Sequence, residues 1–111
     1  EQIVADMRVA VAADDGRGYA FLNAALHGRL REISGHAVAA ELVANLRNRA
    51  AHHQFRLAMV PGRPGESVEQ HAAIVAGVVS GDPVAAQAAM NAHLGSVIGV
   101  LRRWADVQFV R

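Results

Sequence analysis

The chain predicts an all-α fold, an antiparallel bundle of about five helices. Apolar residues recur every three or four positions through most of its length, no stretch reads convincingly as a strand, and glycine-, proline- and serine-containing breaks separate the periodic segments. With 111 residues, 52% of them hydrophobic, the chain can build one core without disulfides or a structural metal.

The first helix is expected from about Gln2 to Asp14, with Ile3, Met7 and Val11 on one face and Gly16 as its stop. The second runs from about Arg17 to Ile33 on a stripe of Tyr19, Leu22, Leu26, Leu30 and Ile33. Ser34-Gly35 ends it, because glycine takes the left-handed conformation cheaply. The third runs from about Ala37 to Met59, with Val38, Leu42, Leu46 and Leu57 as its stripe. Pro61-Gly62-Arg63-Pro64-Gly65 must break it. Ser67-Val68-Glu69-Gln70 has the form of a capping box and predicts the start of the fourth helix, which continues to about Ser80. Gly81-Asp82-Pro83 closes that helix and opens the fifth, which runs to about Trp104 with Met90, Val97, Leu101 and Trp104 on one side. The tail 107–111 reads as a helix end or a frayed terminus. Short connections make successive helices antiparallel neighbours.

Composition excludes several functions. There is no cysteine, so disulfides and thiolate metal sites are ruled out. The net charge is +1, and the eleven basic residues, all arginine, are scattered. That argues against direct nucleic-acid binding by this segment, which needs a basic stripe. No run is read as bilayer-spanning and no leader-like segment opens the chain, so the expected setting is cytoplasmic with no membrane partner. The helix-like opening Glu1-Gln2-Ile3-Val4 reads as part of a longer polypeptide.

The informative residues are polar ones on apolar faces. His71 lies among Val68, Ile74, Val75 and Val78. His93 lies among Met90, Val97 and Val100. Asn23 and His27, four apart, share a face on the flank of the second helix's stripe. Three histidines and an asparagine from three helices could converge in a bundle interior and hold a metal, since imidazole suits zinc, nickel, copper and iron. The plainer alternative is a set of hydrogen-bonded core histidines. His52 and His53 point about 100° apart on a helix, so His52 reads as solvated, while His53 and Arg49 fall near the Leu46–Leu57 stripe and could face a cavity. His36 reads as a surface residue at a helix start.

These stretches resemble a known family. Asn23-Ala24-Ala25-Leu26-His27 is similar to an Asp-x-x-Phe-His motif, and Ile33-Ser34-Gly35-His36 to a Ser-Gly-Asn stop. Ser67 through Ile74 resembles a Glu-His-x-x-Ile helix start. Gly81-Asp82, Ala85-Ala86, Met90 and His93-Leu94 resemble a Gly-Asp…Ala…Met-x-x-His-Leu close. In this order and spacing, from about Ala10 to Leu101, they resemble the FCD-type effector domain of GntR-family regulators, the FadR-like branch.

The resemblance implies one partial effector domain over residues 1–111, short of about two N-terminal helices and of the winged helix-turn-helix through which the full protein would meet DNA. It implies a homodimer, a small carboxylate effector and a divalent metal, zinc or nickel, on Asn23, His27, His71 and His93. Asn23 departs from the family's aspartate: an amide oxygen is neutral and a poorer ligand. Arg49 and His53 are candidates for the effector's other end. The sequence thus predicts a metal-assisted sensor. A hydrolase or lyase would need a general base, and Asp82 and Glu69 read as helix-start residues instead, so no enzyme is expected. A metal-free dimerisation module is the alternative.

Overall fold

The computed structural model describes residues 1–109, with side chains to Asp106. It is all-α: α1 (Gln2–Ala12), α2 (Gly16–Ser34), α3 (Ala37–Arg49), α4 (Ala51–Ala58), α5 (Arg63–Val79) and α6 (Pro83–Phe109), with no strand among the described residues. The chain divides into two compact units, residues 1–65 and 66–111.

In the first unit α1 and α2 pack together, and α3 and α4 each pack on α2. Val4, Met7 and Ala10 are the buried face of α1, and Tyr19, Leu26 and His27 that of α2. Gly16 is not the stop of α1. The reversal is made by Asp14, at φ 53°, while Asp15 caps α2 by accepting from the Gly18 amide at 2.8 Å. Gly16 opens α2 where a Cβ would stand 2.8 Å from Met59 Sδ. At the other end Gly35 takes φ 69° and closes α2, as its position predicts.

The single helix expected over Ala37–Met59 is two. Ala50, at φ −93° and ψ 3°, separates α3 from α4. Its amide is shared between the carbonyls of Leu46 and Arg47, and its carbonyl still accepts from Gln54, so the break is a bend rather than a loop. The expected stripe is divided with it. Leu57 is buried on α4, whereas Val38, Leu42 and Leu46 are exposed and no residue of α3 is buried.

The capping-box reading of Ser67–Gln70 is also overturned, because α5 begins at Arg63. Gly62, at φ 78°, makes the turn. Pro64 then sits in the first turn, where its missing N–H leaves no bond unmade.

In the second unit α5 and α6 form an antiparallel hairpin. Gly81 takes φ 71°, Asp82 Oδ1 accepts from the Ala85 amide at 3.0 Å, and Pro83 opens α6. The helices cross so closely at Gly77 that a Cβ there would lie 2.6 Å from the Ala86 nitrogen and 2.7 Å from its Cα. Higher up the hairpin the same pairing sets His71 opposite His93 and Gln70 opposite Ser96.

By length and composition the stretch Pro83–Asp106 could cross a membrane, which the sequence reading did not anticipate. Its apolarity comes from Val84, Leu94, Val97, Ile98, Val100 and Leu101 together with six alanines, and it carries the buried His93 on the face that meets α5. The last turn of α6 reaches Phe109; Val110 and Arg111, in the tail singled out above, lie outside the described residues.

Gly77→Ala should force the hairpin apart, because backbone rather than a flexible side chain stands in the way. We expect a loss of about 1–3 kcal/mol in urea denaturation. Gly95→Ala, on an α6 position with nothing within 4 Å, should be neutral or stabilising.

Candidate metal centre

Within the second unit, α5 and α6 place two imidazoles in direct contact. His71 is 0% and His93 4% exposed. Their rings lie 4.4 Å apart at 58°, with Nε2 facing Nε2 at 3.2 Å. Two nitrogens bound to one ion at about 2.0–2.1 Å, and about 90–109° apart around it, stand about 2.8–3.4 Å from each other. The observed separation therefore suits a pair of ligands on one ion. It equally suits one N–H···N hydrogen bond.

The far side of His93 is held as well. Its Nδ1 is 2.7 Å from Gln70 Oε1, Gln70 Nε2 donates to Ser96 Oγ at 3.0 Å, and Ser96 Oγ donates to Glu66 Oε1 at 3.3 Å. Metal-ligating histidines characteristically have such a partner on the second ring nitrogen. The residues present thus fit a divalent metal in donor type, in spacing and in outer support.

In the first unit His27 is buried on α2, 7% exposed. Asn23, four residues earlier, is half-buried and lines a groove of about 320 Å³ with Arg17, Phe21, Gln54 and Phe55. Arg49, His53, His52 and His36 are all exposed.

The inward arginine on α3 is Arg47, which the sequence reading passed over. Arg47 donates to Gln54 Oε1 at 3.3 Å. Burial, and then the charge of Arg31, lower its guanidinium from the usual value. Arg31 Nη1 is itself buried and has no hydrogen-bond partner. Two guanidinium groups are therefore held near each other, one of them with an unmatched donor.

The FCD domain model matches residues 1–96. The chain belongs to the FCD domain family. FCD domains are the C-terminal effector-binding modules of GntR-type transcription regulators and are not enzymes. No curated protein and no solved structure matches the chain significantly. The match agrees with the resemblance carried by the Asn23–His27, Ser67–Ile74 and Gly81–Leu94 stretches.

Gln70, Ser96 and Glu66 were missed for a physical reason. Ser67 and Gln70 imitate a helix-start pattern, and nothing local to Gln70 reveals a partner on α6. The spacing on α3 offered a better signal for Arg47: it is next to Leu46, and two residues from Arg49 turn the side chain about 200°.

Arg31→Met should stabilise the metal-free FCD domain by about 1 kcal/mol, because it removes an unsatisfied buried donor and the like charge beside Arg47. Equilibrium urea unfolding of the two proteins measures it. A loss of stability would mean that Arg31 has a favourable partner after all.

Proposed function

We propose that this domain senses a small organic acid at a divalent metal held by His27, His71 and His93, within a dimeric, cytoplasmic regulator that meets DNA through a different domain. The observation that carries the reading is the buried His71–His93 pair, with its Nε2 atoms at a separation suited to two ligands on one ion. His27 is the proposed third ligand. It is buried on α2, and its imidazole would complete a set of three nitrogen donors. Imidazole donors favour zinc or nickel.

Asn23 is assigned a contact to a bound water or to the effector, or a weak fourth ligand position. Three neutral imidazoles and an amide leave the ion's charge of +2 intact. A carboxylate from the effector would supply the negative oxygen that aspartate supplies in the motif Asn23 departs from. The Arg31–Arg47 pair independently favours an anionic ligand. Arg49 and His53, both exposed, are proposed on their chemistry alone as outer contacts for the effector's far end. The metal supplies Lewis acidity that fixes a carboxylate. The residues of the chain orient it, and binding shifts the population of arrangements available to the full regulator.

The dimer proposal is supported by Val38, Leu42 and Leu46, three large apolar side chains on one exposed stripe of α3. Such a stripe is costly to leave in water and marks contact surfaces.

The second reading, a metal-free dimerisation module with core histidines, is favoured by the same 3.2 Å contact, which is also a satisfactory hydrogen bond. Zinc or nickel titrated into chelator-treated protein separates the two. The parent should bind one equivalent, and His27→Ala, His71→Ala and His93→Ala should each weaken binding at least tenfold. A carboxylic acid that binds the site should tighten metal binding by the same factor by which metal tightens its own. Metal bound by both His71→Ala and His93→Ala as tightly as by the parent would defeat the site assignment, and no binding by the parent would leave the metal-free module standing.

A further inference from the structure

We propose that Glu66, through Ser96 and Gln70, fixes His93 in its Nδ1–H tautomer and so keeps the Nε2 lone pair directed at His71 and the metal position. The functional consequence rests on the metal-site reading above; the tautomer itself does not.

A carboxylate can only accept at neutral pH, so the proton between Ser96 Oγ and Glu66 Oε1 belongs to serine. With its one proton so committed, Ser96 Oγ can only accept from Gln70. Only the amide nitrogen of Gln70 can donate, so Nε2 faces Ser96 and Oε1 faces His93. An amide oxygen only accepts, so the 2.7 Å contact puts the proton on His93 Nδ1. In neutral imidazole the other nitrogen is then a lone pair. Reversing the glutamine amide would turn Oε1 toward Ser96 Oγ and leave the one serine proton facing two acceptors, Gln70 and Glu66. The orientation of an amide and of a ring, normally ambiguous, is thus determined from Glu66 on the outside to a buried nitrogen.

A second assignment follows. His93 Nε2 accepts, so the proton in the 3.2 Å contact resides on His71 Nε2 in the metal-free protein. The two histidines are therefore unequal. For both Nε2 atoms to ligate, His71 must carry its proton on Nδ1 instead, whereas His93 needs no change. Glu66, Ser96 and Gln70 are positioning residues, with His93 as the ligand they prepare.

Long-range proton–nitrogen correlation NMR on the metal-free, 15N-labelled full chain at neutral pH reads both tautomers. We expect His93 to be protonated at Nδ1 and His71 at Nε2. Glu66→Ala and Ser96→Ala should convert His93 to a mixture of tautomers, while Gln70→Glu, which keeps an acceptor against Nδ1, should preserve the single form. Gln70→Leu should lower zinc affinity about 10–100-fold in competition with a chromophoric chelator. On adding zinc to the parent, the His93 proton should stay on Nδ1 and that of His71 should leave Nε2. His93 protonated at Nε2 in the parent, or one unchanged Nδ1–H form in both Glu66→Ala and Ser96→Ala, would overturn the proposal. A parent that shows the expected tautomers and their loss in those variants yet binds no zinc would defeat the metal reading alone.

Discussion

The constraint on which the second unit turns is the close passage of α5 over α6. Gly77 against Ala86 brings the helix backbones together, and the histidines above them are set with their Nε2 atoms facing each other. Two buried imidazole nitrogens facing at 3.2 Å are not indifferent to what lies between them. Two lone pairs repel, and two protons clash. The contact is satisfied by one proton or by one cation. A helix crossing set by a glycine thus becomes a chemical statement about what the pair can hold.

Much of this was legible in sequence, and the reasons it was legible are local. His71 and His93 interrupt apolar faces, so helical spacing alone turns them inward, and both are buried. Gly35 and Gly81 announce positive φ, and Asp82-Pro83 a new helix, because these depend on the residue's own backbone and side chain. What was not legible depends on distant partners. Nothing in Arg49-Ala50-Ala51 signals a bend; α3 and α4 part there while each packs on α2. Gln70 reads as a cap because the pattern around it fits one, yet its partners are 23 and 26 residues away. The stripe of Val38, Leu42 and Leu46 marks a helix correctly and says nothing of what covers it, since amphipathic periodicity is the same whether the apolar face meets its own chain or another.

The departure at Asn23 changes the electrostatics more than the geometry. Aspartate and asparagine are nearly isosteric, so the fold has little reason to respond. The charge has every reason to. A site with no acidic ligand attracts an anion more strongly and holds its metal less strongly when empty of one. In the proposed function, metal and effector would then be mutually dependent, each improving the other's binding.

Stability alone gives no account of the buried polar residues. His71 is among the largest fully buried side chains, beside Met7 and Ile74, and His93 is scarcely more exposed. Apolar residues of similar size would fill those positions without desolvating ring nitrogens, and replacing buried polar groups in this way is often neutral or stabilising. Their support is also more extensive than packing requires, for it runs through an amide and a hydroxyl to a carboxylate. Such an arrangement does little that leucine would not do for the hairpin. It would define which ring nitrogen carries a proton, and so which lone pair is offered, to the His71 N–H in the metal-free protein or to an ion in the proposed function.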